Sequence, residues 1–248
     1  MHPSVTLRLP QQRFRTQLDW LDSWHSFSFG PHHDPNEVGH GLLIVANDDL
    51  VAPGGGFGEH GHRDMEIVTW VLDGQLEHRD SSGGEGVIYP GLAQRMSAGR
   101  GIRHSEMNHS ATEPVHFLQM WVPPDRTDLE PGYEQIDVND ALAGGGLVPV
   151  ASGRGHDGAV TLHQAHAVMW VGRLGDDEAV ELPDAPYVHC FVARGTVALA
   201  TPGVDGDAGP HHLVTGAAAR LTSAGAATVC AVGGAAEVVV WESEVSAR

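Results

Sequence analysis

Two short stretches of this chain carry residue types that do metal chemistry. One reads Gly58-Glu59-His60-Gly61-His62, and the other reads Ile102-Arg103-His104-Ser105-Glu106. On an extended strand residues i and i+2 point to the same face, so His60 and His62 share a direction, as do His104 and Glu106. With both pairs turned into a small β-enclosure, three imidazoles and one carboxylate converge on one point. Nitrogen and oxygen donors without thiolate suit Fe(II), Mn, Co, Ni, Cu or Zn. Four protein ligands on an octahedral ion leave two adjacent positions for a substrate and dioxygen. Each pair alone carries little weight, since 17 histidines in 248 residues give about one His-x-His by chance. Taken singly, each histidine reads as a surface or hydrogen-bonded residue. The order adds the weight: His-x-His precedes a strand-like run ending in Asp73-Gly74, and His-x-Glu follows a Pro90-Gly91 turn and a Gly99-Arg100-Gly101 bend.

The elements that must position these residues read as short strands. Glycine (32) and proline (15) are spread along the whole chain, and long helical periodicity is scarce. β-type runs at 41–46, 66–72, 115–122, 167–171, 187–192 and 237–241 read as an antiparallel sandwich or barrel. Asp73-Gly74 between two such runs predicts a hairpin, because a two-residue type I′ turn needs φ > 0 at both centres. Between about 123 and 158 the texture turns polar and glycine-rich, which predicts a domain connection with a short helix near 138–142. The expected division is therefore 1–125, a linker over 126–149, and 150–248. Laying Gly74 on Gly195 relates the two units as a repeat. That offset puts Glu181, Pro183, Gly225 and Ala227 at the ligand positions, so the second unit keeps no metal set and reads as structural. Its His163, His166, His189, His211 and His212 read as loop or incidental strand positions.

Composition excludes several function classes. All 14 basic residues are arginine, against 32 acidic residues, for a net charge of −18. Without lysine there is no P-loop lysine, no pyridoxal-phosphate Schiff base and no lysine nucleophile. The charge argues against direct nucleic-acid contact. Gly54-Gly55-Gly56-Phe57-Gly58 is thus no phosphate cradle and reads as backbone room at a pocket mouth. The serines near His104 lack a nucleophile-elbow pattern. Arg103 falls on the face opposite His104 and reads as a solvated surface arginine. Phe57, Met65 and Met96 read either as an aromatic-substrate pocket or as core. Cys190 and Cys230 read as free thiols or as a single bridge. The N-terminus has no signal segment and no stretch is long and apolar enough to span a bilayer, so a cytoplasmic location is expected.

The order of His-x-His, Glu66, turn glycines and a closing histidine is a cupin signature. Adding Leu21-Asp22-Ser23-Trp24-His25-Ser26-Phe27-Ser28-Phe29, Asp34-Pro35 and the run 96–107, the chain resembles the pirin family, which includes bacterial quercetinases. The resemblance is dense over 20–122 and thin afterwards. It implies an all-β bicupin, two jelly-roll-like barrels in one monomeric chain. One metal, usually iron, would sit in the N-terminal barrel on His60, His62, His104 and Glu106. Glu66 would orient a ligand or serve structure. The implied activity is dioxygenase cleavage of a flavonol by O2 with loss of carbon monoxide, Glu106 acting as base and the metal binding the deprotonated 3-hydroxyl. The alternative within the family is an iron-containing redox-responsive regulator that binds a protein partner.

Overall fold

The computed structural model describes residues 2–205 and 209–247. The strands of the first half are β1 (Ser4–Arg8), β2 (Phe14–Leu18), β3 (Leu21–His25), β4 (Val45–Val51), β5 (Gly56–His62), β6 (Glu66–Asp73), β7 (Leu76–Asp80), β8 (Glu85–Ile88), β9 (Leu92–Ser97), β10 (Ile102–Asn108), β11 (Val115–Val122) and β12 (Gly132–Asp137). A short helix, α1 (Asn139–Ala143), follows where the sequence predicts one. The second half holds β13 (Leu147–Ser152), β14 (Val160–Thr161), β15 (Ala167–Leu174), β16 (Ala179–Glu181), β17 (Tyr187–Arg194), β18 (Thr196–Ala200), β19 (His211–Val214), β20 (Ala218–Thr222), β21 (Thr228–Ala231) and β22 (Ala236–Ser243).

Each half forms a seven-stranded and a four-stranded sheet. The first half is ordered β12-β9-β6-β11-β4-β3-β2 and β5-β10-β7-β8. The second is ordered β1-β20-β17-β22-β15-β13-β14 and β16-β21-β18-β19. This is the all-β, two-unit cupin architecture, with each unit an open sandwich rather than a closed barrel. One strand crosses between the units, β1 pairing with β20, whereas β12 pairs with β9 of the first. Ser4–Arg8 therefore belongs to the sheet of the second unit. Gly132–Asp137, within the stretch read from sequence as linker, extends the sheet of the first.

The central strands are buried on both faces because two layers cover them. On β6, Val68, Trp70 and Leu72 join Met120, Met169, Phe191 and Trp241 in a core between the two seven-stranded sheets. Val71 points the other way, packing with Leu76, Ile88 and Phe117 inside the first unit. The interior of the second unit holds an apolar core built on Leu174, Leu199, Leu213 and Val229 among others. Trp70 is fully buried and its Nε1–H donates to Glu237 Oε1 at 2.8 Å, tying the two units together. Trp70→Ala is expected to cost about 3–5 kcal/mol of unfolding free energy in urea titration, because it empties a packed site and strands a buried acceptor. A loss below about 1 kcal/mol would show that the seam does not hold the fold.

The Asp73-Gly74 hairpin does not form. β6 pairs with β9 and β11, whereas β7 pairs with β10 and β8. Gly74, at φ +76°, carries the chain from one sheet to the other, and a Cβ there would lie 2.6 Å from Pro114 O. Gly195 repeats this at φ +77°, with a Cβ 2.4 Å from Ala235 O. The positive φ is real, but it serves a sheet crossing in both units. Cys190 and Cys230 are free thiols. Among the described residues no helix is long and apolar enough to cross a membrane.

Candidate metal centre

β10 lies in the four-stranded sheet with β5 on one side and β7 on the other. Register sets His104 opposite His60, and Ile102 opposite His62. Between the His104–His60 and Glu106–Phe57 pairs, β5 holds one residue more than β10. Such a bulge re-aims side chains beside a site. Alternation turns His60, His62 and His104 inward together. Their ring centroids lie 4.4 Å apart for His60–His104, 4.8 Å for His60–His62 and 4.9 Å for His62–His104. One ligand atom from each falls within 4.8 Å of the others.

The hydrogen bonds of these rings leave lone pairs for a cation. His60 Nδ1–H donates to Gly58 O at 2.8 Å, which leaves its Nε2 free to coordinate. His62 Nε2 and His104 Nε2 are buried with no hydrogen-bond partner. Orphaned buried nitrogens are rare in proteins, and a divalent transition metal satisfies them as no side chain here does. Burial pushes the His62 imidazole down to about 4. Burial, reinforced by the neighbouring His60, pushes His104 down to about 2. Both rings are thus neutral at physiological pH, the form a metal requires.

Glu106 is buried beside this cluster. Its two carboxylate oxygens accept from Gln119 Nε2 at 2.9 and 2.7 Å, and Gln119 Oε1 accepts from Trp121 Nε1 at 3.1 Å. Burial raises its carboxyl to about 7. One oxygen lies within 4.8 Å of a nitrogen from each of His104 and His78. The structure therefore gathers the three histidines around one point and sets Glu106 against His104 together with His78.

A cavity of about 240 Å³ opens onto His60, His62 and Glu106. Phe29, Phe57 and Trp121 give it aromatic walls. Its opposite side is polar and built from alternate inward residues of β3 and β4: Ser23, His25, Asn47 and Asp49. Ser23 Oγ–H donates to Asp49 Oδ1. His25 Nδ1–H donates to Asn47 Oδ1 at 2.8 Å, and Thr16 Oγ1–H donates to His25 Nε2 at 2.9 Å. Burial raises the Asp49 carboxyl to about 7. A mostly apolar cleft with a few fixed polar groups is the usual form of a small-molecule site.

The family model for pirin matches residues 8–122. A Mycobacterium tuberculosis protein is 51% identical over 98% of this chain and 96% of its own length. The chain belongs to the pirin family. An Escherichia coli K12 relative named quercetin 2,3-dioxygenase is 44% identical over 79% of this chain and 84% of its own. Among solved structures, YhhW from Escherichia coli superposes with a TM-score of 0.88 and 34% identity, covering 99% of this chain and 100% of that one. The same bacterial pirin in complex with nickel(II) gives a TM-score of 0.86 at 35% identity, over 98% and 100% of the two chains.

In this pirin the remaining sequence candidates fall into place. Glu66 faces the second unit, accepting from Ser97 Oγ at 2.8 Å and His163 N at 3.1 Å, so it serves the seam between units. Arg103 is exposed and donates to Glu59 at 2.8 Å. Phe57 lines the cavity, while Met65 and Met96 pack with Ile67, Ala98 and Ile102. His166 pairs with Glu244, and His189 is buried beside Phe27. Among the described residues both metal-capable clusters lie in the first unit. The sequence reading missed Gln119, Trp121, Asn47, Asp49 and His78. Of these only Gln119 carries a local signal, a polar residue between Leu118 and Met120 in a largely apolar strand.

Proposed function

We propose that this pirin is a metal-dependent dioxygenase that opens a flavonol ring with O2, His60, His62, His104 and Glu106 holding the metal. The observation that carries this reading is the pair of orphaned Nε2 atoms, on His62 and His104, grouped with His60 at the wall of an aromatic-lined cavity. The name of the Escherichia coli relative and the nickel complex of YhhW support it. When bound, a divalent metal, Fe(II) by family resemblance, supplies Lewis acidity for a deprotonated hydroxyl together with open positions for dioxygen. Glu106 accepts the proton of the 3-hydroxyl at a carboxylate oxygen, with Gln119 Nε2 steadying the carboxylate. Phe29, Phe57 and Trp121 hold the planar ring system and keep water from the opened intermediate. The polar side, Ser23 to Asp49, faces the substrate's remaining hydroxyls.

The test is oxygen uptake with quercetin, coupled to carbon monoxide detection, on protein loaded with Fe(II), Ni(II) or Mn(II). Metal-dependent uptake with one carbon monoxide released per flavonol supports the reading. Metal-loaded protein that neither consumes quercetin nor takes up oxygen overturns it.

A further inference from the structure

β10 carries ligand candidates toward β5, but its other neighbour, β7, is chemically loaded too. Register places Asp80 opposite His104 and His78 opposite Glu106. His78 and Asp80 are both fully buried side chains. His104 Nδ1 lies 3.4 Å from His78 Nδ1, and His78 Nε2 lies 3.1 Å from Asp80 Oδ2. Asp80 is itself fixed: its Oδ1 accepts from Ser82 N at 2.8 Å, Ser82 Oγ at 2.6 Å and Gly84 N at 3.0 Å. Tyr133 stacks on the His78 ring, 4.7 Å between centroids at 23°. The stack and the carboxylate close over Gly84, where a Cβ would lie 2.3 Å from Asp80 Oδ2 and 2.8 Å from Tyr133 Cβ.

With His78 neutral, these contacts allow one arrangement of protons. A carboxylate only accepts, so Asp80 Oδ2 takes the bond from His78 Nε2–H. Neutral His78 then carries a lone pair on Nδ1, which accepts from His104 Nδ1–H. His104 is left with its lone pair on Nε2, the buried atom that has no partner in the protein. We infer that His78 and Asp80 are positioning residues that set the tautomer and ring angle of His104 through the chain Asp80–His78–His104, so that its Nε2 is presented to the metal. This rests on the reading of His104 as a ligand. Carboxylate and carbonyl partners of metal-bound imidazoles commonly play this part. The Gly58 carbonyl does so for His60, while His104 is served by a second imidazole.

Asp80→Asn isolates the effect. The amide oxygen can keep the Ser82 and Gly84 bonds, while the amide nitrogen donates where Oδ2 accepted. His78 must then carry its proton on Nδ1, where it opposes the His104 N–H across 3.4 Å. We expect Zn(II) affinity, measured in the full chain by competition with a chelator, to fall roughly 10–100-fold, with the melting temperature of the metal-free protein unchanged. His78→Phe keeps the stack on Tyr133 but removes the acceptor, and is expected to lose affinity likewise. Ring 15N spectra of the wild-type Zn(II) form, which need no variant, should show His104 protonated at Nδ1 and His78 protonated at Nε2. Wild-type protein that binds Zn(II) no better than both variants overturns the inference while leaving the ligand reading standing. A wild-type spectrum in which Zn(II) sits on His78 overturns it as well. Wild-type protein that binds no Zn(II) removes the ligand reading and the inference together.

Discussion

Replacing His104 with alanine is expected to abolish stoichiometric binding of the divalent metal and to bring quercetin-dependent oxygen uptake down to that of metal-free protein. His104 is the residue that both metal-capable clusters share, one with His60 and His62 and the other with His78 and Glu106. Without it the donors on β5 and the carboxylate of Glu106 lose the group between them. A three-donor remnant with a missing imidazole binds a transition metal far more weakly. The fold is expected to survive, because the packed cores lie elsewhere, on Trp70, Phe117 and Met169 among others. The measurement is metal content after gel filtration, with circular dichroism as the control for folding. A folded alanine variant that retains full metal content contradicts the account.

Glu106→Gln is expected to leave the metal in place and to lower kcat/KM for the flavonol about 10²–10⁴-fold, the range seen when a general base is lost. Two effects combine in this variant. The amide cannot accept the substrate proton at the position where the carboxylate does. It also meets Gln119 badly, since Gln119 Nε2 donates to both oxygens of Glu106 at 2.9 and 2.7 Å. A new amide N–H there faces a donor. Gln119 escapes only by turning its own amide, which breaks the bond from Trp121 Nε1. Steady-state oxygen uptake and metal content, measured on the same preparation, separate the two contributions. Undiminished turnover in the variant rules out Glu106 as base.

The histidine pair on β5 was legible in the sequence because it follows from a local rule. Alternation gives His60 and His62 one shared direction on β5, the pairing of β5 with β10 brings His104 to them, and the all-β class follows from short apolar runs and dispersed glycine. What the sequence could not supply is strand partnership, which is nonlocal. Asp73-Gly74 reads as a hairpin because a positive φ suits one, yet at Gly74 the same φ sends the chain into the other sheet. Ser4–Arg8 pairs with β20, more than 200 residues later, and no local pattern marks that choice. The polar side of the cavity was hidden for a related reason. Ser23 and His25 lie on β3 and Asn47 and Asp49 on β4, and each alone reads as solvent-facing. They become one surface when β3 pairs with β4. His78 was missed because its significance lies in its neighbour across the strand pair.

Anomalous scattering from crystals of the metal-loaded protein, recorded at the absorption edge of the metal supplied, tests the central claim most directly. The account predicts a single strong peak about 2.0–2.2 Å from Nε2 of His60, His62 and His104, with a Glu106 oxygen completing the protein ligands. A peak that instead rests on His78, or lies away from the three histidines altogether, contradicts it.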